Sequence, residues 1–373
     1  MRVLLDATAV PGDRGGVGRY VDEIAPELAL AGVELAIVVQ PRDADHYRAL
    51  VPGALVVAAP TWIARRPLRM LWEQIGLPGL VRRLRPDVLH SPHYTMPLLV
   101  KVPVVVTLHD ATFFTTPELH LRSKALFFRT AIRIASRRAA RLVVPSRATR
   151  DEVVRLVGAT TDQFVVAYHG VDRERFHPTS TEDQARVRAT LDIGSRAYIG
   201  FLGTLEPRKN VPALIRGWVA AVSERPDPPA LVLAGGRGWD QAIDEAVESV
   251  PAHLTVRRTG FLPLEDLPAY LAGAQIVAYP SLGEGFGLPV LEAMACHAPV
   301  LTTRELSLPE VGGDAVAYCG TDEVSIAEEL SALLDDPDRR QRLADAAVVR
   351  AAGFTWASAA QVHVGAYTEA VRG

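Results

Sequence analysis

Ile276-Val277-Ala278-Tyr279-Pro280-Ser281-Leu282-Gly283-Glu284-Gly285-Phe286-Gly287-Leu288-Pro289-Val290-Leu291-Glu292 decides how this chain is read. Its first four residues form a continuous apolar run, the pattern of a buried parallel strand. A Gly-Phe-Gly turn then leads into a Pro-led apolar segment. The spacing predicts a helix starting near Leu288, with Pro289 in its first turn, where a missing N–H costs nothing. A Gly-rich turn feeding a helix N-terminus is a cradle for phosphate, because free backbone N–H groups and the positive end of the dipole face the ligand. Glu284 lies on the loop before the cradle, and Glu292 about one helical turn inside it. That arrangement can hold two hydroxyl-bearing parts of one ligand on either side of a phosphate, and a sugar nucleotide has that shape.

The same rhythm extends in both directions. In the first half, residues 3–5, 35–39, 88–90, 104–108, 142–144 and 165–167 read as buried strands. Helix-like stretches such as 20–31 and 123–140 lie between them. The pattern restarts after residue 176, with strands at 198–202, 231–234, 254–256, 276–279 and 300–302, and residues 172–183 read as a linker. Alternation of this kind predicts an α/β chain with parallel, doubly wound sheets. Open sheets of this type bind ligands beyond the carboxyl ends of their strands, so two such domains facing each other would place a cleft between them.

Composition narrows the class. A chain of 373 residues exceeds one ordinary core, and with 49% hydrophobic residues it can fill two. It has no apolar run of about 18 residues, the length a spanning helix needs. The charge at Asp6 falls too early for a signal peptide. Cys296 and Cys319 are too few for a disulfide framework, which favours a reducing cytoplasm, and no Cys/His spacing fits zinc. Residues 1–175 hold 24 Lys/Arg against 17 Asp/Glu, whereas residues 176–373 hold 16 against 26. A basic half joined to an acidic half points to an anionic partner for the first half. Nucleic acid is disfavoured, because the basic half has few aromatics at stacking intervals.

Candidate chemistry collects at strand ends. Gly12-Asp13-Arg14-Gly15-Gly16-Val17-Gly18-Arg19 follows the first strand. Its glycines permit close approach to a diphosphate, or simply a tight turn, and their spacing is not a dinucleotide fingerprint. His109-Asp110 closes the 104–108 strand, where a histidine points into the crevice and Asp110 can orient its ring or bind ligand; a structural histidine is the alternative. Gly203-Thr204-Leu205-Glu206-Pro207-Arg208-Lys209-Asn210 ends the first strand of the second half. Arg208 and Lys209 can neutralise a departing diphosphate, and they sit poorly at a helix start unless something anionic is bound. Gly235-Gly236-Arg237-Gly238 reads as a loop, and Gly260-Phe261-Leu262 can pack against a base. Residues 122–141 carry seven Lys/Arg and no acid, with Arg122, Arg129, Arg133, Arg137 and Arg141 on one helical face and Phe127, Ala131 and Ile134 on another. Residues 62–85 add Trp62, Arg65, Arg66, Arg69, Trp72, Arg82, Arg83 and Arg85. Such stretches bind anionic membrane or a lipid phosphate, or are ordinary surface helices in an arginine-rich chain.

Taken together, the Glu284/Glu292 pair, His109-Asp110, Gly15-Gly16 and Arg208-Lys209 resemble the retaining glycosyltransferases of family 4. The resemblance extends to Val144-Pro145-Ser146 with Thr149, Gly170-Val171-Asp172, Leu308-Pro309-Glu310-Val311 and Phe354-Thr355-Trp356. It implies a GT-B fold. An acceptor-binding domain would span 1–175 and a nucleotide-sugar-binding domain 176–353, with a last helix, 354–373, crossing back to the first. It implies that Glu292 binds ribose hydroxyls and that Glu284 contacts the transferred sugar. Gly285, Phe286, Gly287 and Leu288 would cradle the donor, with N–H groups from Phe286 and Gly287. Arg208 and Lys209 would clamp the diphosphate, and Gly203, Thr204 and Leu262 would also line the nucleotide-sugar. His109 would lie beside the sugar, and Gly16 near the diphosphate. Many members have Arg where this chain has Thr204. The variant Thr-Leu-Glu-Pro-Arg-Lys-Asn resembles a mannosyltransferase branch, which makes GDP-mannose the leading donor. The implied reaction is metal-independent, needs no cofactor, and passes a hexose to a glycan or lipid-linked acceptor. UDP-sugar transfer and a non-catalytic glycan-binding protein remain as alternatives, with an epimerase, a phosphorylase or a nicotinamide dehydrogenase behind them.

Overall fold

The computed structural model describes residues 1–12, 14–115 and 122–373, without the side chains of 115 and 122–124. Asp13 of the Gly-rich loop and the Arg122 and Lys124 side chains of the basic stretch therefore lie outside the described residues. The chain divides into two compact units, Met1–Gly170 with Thr355–Gly373, and Val171–Phe354.

Unit 1 is built on seven parallel strands: β1 (Arg2–Asp6), β2 (Glu34–Val39), β3 (Leu55–Ala58), β4 (Val88–Ser91), β5 (Val104–Thr107), β6 (Arg141–Val144) and β7 (Phe164–Val166), ordered β3-β2-β1-β4-β5-β6-β7. Unit 2 has six: β8 (Tyr198–Leu202), β9 (Ala230–Ala234), β10 (Val256–Gly260), β11 (Ile276–Tyr279), β12 (Val300–Thr303) and β13 (Ala317–Cys319), ordered β10-β9-β8-β11-β12-β13. All the ladders are parallel, and the inner strands are buried along nearly their whole length. Continuous Val/Ile/Leu runs are what burial on both faces requires.

Departures from the sequence reading fall mainly at edges. β3 and β13 were not anticipated; both are short edge strands of three or four residues. The strand expected at 254–256 runs instead from Val256 to Gly260. Its exposed Arg257 and Arg258 break the apolar signal, as suits an edge that must resist further pairing. Gly15 and Gly16 are not loop residues: they open the helix Gly15–Leu30, whose buried face carries Tyr20, Val21, Ile24 and Leu28. The basic helix ends at Arg138, so Arg141 belongs to β6. Its buried face is Phe128, Ile132 and Ala135, not Phe127, Ala131 and Ile134. Arg69 and Trp72 are interior, and Arg69 pairs with Glu73 at 2.9 Å one turn along the helix Arg66–Leu84.

The last helix, Trp356–Arg372, belongs to unit 1 and packs on the helix Gly15–Leu30. Thr355 caps it by accepting from the Ser358 N–H. Gly170 lies against the backbone of Thr355 and Trp356, where a Cβ would come within 2.1 Å of the Trp356 nitrogen. A buried hydrogen-bond chain fixes the helix to the sheet. His363 Nδ1 lies 2.7 Å from the Ala359 carbonyl, which can only accept, so Nδ1 carries the proton. Burial pushes the His363 ring down to about 4, so it is neutral and Nε2 accepts from Tyr20 Oη at 2.6 Å. Thr107 Oγ1 then donates to Tyr20 (3.0 Å), His90 Nε2 to Thr107 (2.8 Å), and Tyr367 Oη to His90 Nδ1 (2.8 Å). Burial likewise lowers His90, His93 and His169.

A pH dependence follows. The unfolded state takes up protons on these histidines near pH 6.5, and folded His363 only near 4, so stability is present above about 6.5 and is lost as pH falls toward 4. Thermal melts should show that decline. His363→Gln should cost about 1–3 kcal/mol at pH 7.5 and flatten the slope between pH 6.5 and 4. An unchanged slope would contradict the assignment.

Candidate functional site

In unit 2 the sheet order places β8 beside β11, so the connections leaving these strands run in opposite directions. Such a switch point opens a crevice at the carboxyl ends. The loop after β8 carries Gly203–Asn210 and the loop after β11 carries Ser281–Gly287. Both predicted motifs therefore meet at one place.

Glu284 is at their centre. Its Oε1 accepts from Lys209 Nζ (2.6 Å), Ser281 Oγ (2.7 Å) and Tyr279 Oη (3.0 Å), and its Oε2 accepts from Arg208 Nη1 (2.8 Å). Lys209 also donates to Tyr279 Oη. Burial alone would raise the Glu284 carboxyl. Arg208 and Lys209, with hydrogen bonds from Lys209 and Ser281, overcome it and hold the group at about 2. Burial and the neighbouring Arg208 lower the Lys209 ammonium, against Glu284 and Glu206. Arg208 Nη2 reaches Glu206 at 2.8 Å. Lys209, a candidate diphosphate clamp in the sequence, is buried, with 7% of its surface exposed.

The backbone holds the two loops together. The Arg208 carbonyl accepts from the Leu282 N–H (2.8 Å), and Thr303 Oγ1 donates to the Ser281 carbonyl (2.7 Å). Ser307 Oγ bonds the Glu284 and Phe286 carbonyls at 2.8 and 2.9 Å. The helix Leu288–Ala295 starts where the sequence predicts. It is entered through Gly287 at φ 101°, a conformation that favours glycine. Glu292, in its second turn, is buried. Thr204 is exposed, and Gly203 and Gly285 lie on the two loops. Leu262 is half-buried beyond β10, and the neighbouring Phe261, 77% exposed, lies over Gly236.

In unit 1, His109 lies past the end of β5. Its Nε2 is 2.7 Å from the Pro92 carbonyl and so carries the proton, leaving Nδ1 as an acceptor. Burial lowers the ring's pKa, against the Pro92 bond and Asp110. Tyr20 packs edge-on to the ring at 5.1 Å. Asp110 does not orient the ring; its Oδ1 accepts from the Thr112 N–H (3.2 Å) and Oγ1 (2.9 Å), and the Pro92 carbonyl takes the orienting role. Gly15 and Gly16 open the helix that follows β1, which lies beside β4 at this sheet's own switch point.

Sequence reasoning passed over Tyr279, Ser281, Ser307 and Glu206. Ser281 and Tyr279 were visible as polar groups at the end of an apolar strand, close before Glu284. Gly235 was also undervalued. At φ 129° its Cβ would come within 2.2 Å of the Gly203 carbonyl oxygen, so it sets the position of the loop that carries Arg208. Gly235→Ala should therefore cost about 2 kcal/mol or more in urea unfolding and weaken anion binding at Arg208. Wild-type values in both measurements would show that the loop is not held this way.

Residues 14–175 match the family described as Glycosyltransferase Family 4, and residues 196–336 match Glycosyl transferases group 1. The chain is 27% identical to the O-antigen chain mannosyltransferase B of Escherichia coli, over 98% of this chain and 99% of that one. It is 31% identical to the D-inositol 3-phosphate glycosyltransferase of Salinispora tropica, over 96% and 82%. The crystal structure of Anabaena HepE with UDP and glucose superposes with a TM-score of 0.77 at 20% identity, covering 98% of each chain. That likeness shows the α/β fold with two Rossmann-like parts.

Proposed function

The chain belongs to glycosyltransferase family 4, and on that footing we propose that it moves a hexose from a nucleotide-sugar to a hydroxyl of a glycan or lipid-linked acceptor with retention of configuration. The leading donor is GDP-mannose. The observation that carries the reading is the convergence of Arg208 and Lys209 on Glu284 at the β8/β11 switch point. The mannose assignment is supported by the likeness to the O-antigen mannosyltransferase and by the Glu206-Pro207-Arg208-Lys209-Asn210 loop.

In this reading the donor's diphosphate binds at Arg208, Lys209 and the N-terminus of the helix Leu288–Ala295, and Glu292 takes the ribose hydroxyls. Glu284, ionised at neutral pH, accepts from sugar hydroxyls. In unit 1, His109 offers Nδ1 as an acceptor for a ligand hydroxyl, and Gly15, Gly16 and Asp110 are assigned to ligand binding. The bond from the anomeric carbon to the phosphate oxygen breaks, and the acceptor oxygen bonds to that carbon on the same face. The acceptor's proton passes to the departing diphosphate, so the protein supplies position and positive charge rather than a base. With two cations at the leaving group, the transfer needs no metal or cofactor.

Thermal shift of the purified chain against GDP-mannose, GDP, UDP-glucose, UDP and NAD tests this. GDP and GDP-mannose should raise the melting temperature, and Arg208→Ala should abolish the rise. Stabilisation by UDP compounds alone would replace mannose with a UDP-sugar. Silence toward every nucleotide would favour a non-catalytic glycan-binding protein.

No helix among the described residues is long and apolar enough to cross a membrane. Contact with an anionic lipid surface is supported by exposed Leu71 and Ile75 on the helix Arg66–Leu84 and by exposed Leu98 and Leu99. Gln74 ties that helix to the segment, donating to the Met96 carbonyl and accepting from the Leu98 N–H, both at 3.0 Å. Exposed Arg65, Arg66 and Lys101 lie close by in sequence. The chain should pellet with phosphatidylglycerol vesicles and not with phosphatidylcholine vesicles, and Leu71→Glu with Ile75→Glu should release it while leaving nucleotide binding unchanged. Equal pelleting of wild type and variant would contradict this surface.

A further inference from the structure

The cation pair that the proposed donor must use is already balanced. Arg208 and Lys209 face two carboxylates, Glu284 and Glu206. A diphosphate entering this cluster adds negative charge to a site whose formal charges sum to zero. One of the two carboxylates must therefore give way, or the site carries an excess of anions in a partly desolvated place.

The geometry separates the two acids. The Glu284 side chain is 8% exposed, its contacts converge from Tyr279 of β11 and from the loops after β8 and β11, and its own carbonyl is fixed by Ser307. Glu206 is less deeply set, with 16% of its side chain exposed; it lies two residues past exposed Thr204 and immediately before the short turn Pro207–Lys209. Its Oε1 meets Arg208 Nη2 at 2.8 Å and Lys209 Nζ only at 3.9 Å. Arg208 therefore holds Glu284 with one guanidinium nitrogen and Glu206 with the other.

We propose that Glu206 is a built-in counter-ion that competes with the donor's diphosphate for Arg208 and Lys209. It neutralises the cations when no nucleotide is bound, is displaced on binding, and returns as the nucleoside diphosphate leaves, which limits product affinity. The inference rests on the diphosphate position given under the proposed function, and it assigns to Glu206 a role in affinity rather than in the bond-making step.

Calorimetric titration of the full chain with inorganic pyrophosphate and with GDP tests it, alongside melting curves without ligand. Glu206→Gln should bind both anions about five-fold tighter than wild type, while its unliganded form melts at a lower temperature. A merely structural role would lower melting temperature and affinity together, and that result, or unchanged affinity, overturns the proposal. Glu206→Asp keeps the charge but shortens its reach. If Glu206→Gln does not fold, the aspartate variant should still bind tighter, and equal or weaker binding overturns the proposal. Arg208→Ala separates the two levels of inference. If wild type binds pyrophosphate, Arg208→Ala loses it and Glu206→Gln gains nothing, only the counter-ion role fails. If neither wild type nor Glu206→Gln binds either anion, the diphosphate site itself is wrong and the counter-ion role falls with it.

Discussion

Lys209 and Glu284 lie 2.6 Å apart with both side chains more than nine-tenths out of solvent, and the geometry of unit 2's site depends on that contact. Burying two charges costs several kcal/mol each unless their remaining donors and acceptors are satisfied. Here they are: Ser281, Tyr279 and Arg208 complete the carboxylate, and Tyr279 and Glu284 receive the ammonium. The residues come from the end of β11 and from two loops that are distant in sequence and adjacent only because β8 pairs with β11. Sheet order, a fold-level property, is thus what assembles the charges. Removing Glu284 would leave the buried Lys209 ammonium with a carboxylate no nearer than 3.9 Å, a loss larger than the net value of the pair.

Unit 1 solves a related problem without net charge. The chain from Tyr367 through His90, Thr107 and Tyr20 to His363 places one proton in each link, and burial keeps both rings neutral. A fully satisfied buried network specifies one arrangement more sharply than apolar packing alone. It fixes Tyr20, whose ring edge meets His109, so the last helix of the chain helps to set the site in the first unit. In this way residues from both ends of the sequence stabilise one another around the sheet.

Much of the fold was legible in the chain because central strands must be apolar on both faces. The 198–202 and 276–279 predictions coincide with β8 and β11. Edges were harder: β10 presents Arg257 and Arg258, and β3 and β13 are too short to stand out from loops. The Gly-Phe-Gly turn and the start at Leu288 were readable, since Gly287 and Pro289 leave the backbone little choice. The partners of Lys209 were not readable. A lone Arg-Lys pair on a turn gives no sign of burial, and its contact with Glu284 spans 75 positions in sequence. Arg69 misled for the same reason: its charge suggests a surface, and only Glu73 one turn away explains its place inside.

On the proposed reading, a nucleoside diphosphate binds the crossing loops of unit 2. Hydrogen–deuterium exchange of the full chain, with and without saturating GDP-mannose or UDP-glucose, tests it most directly. Exchange should slow in residues 203–210 and 281–292 for the donor that binds. Binding that leaves both segments unprotected would contradict it.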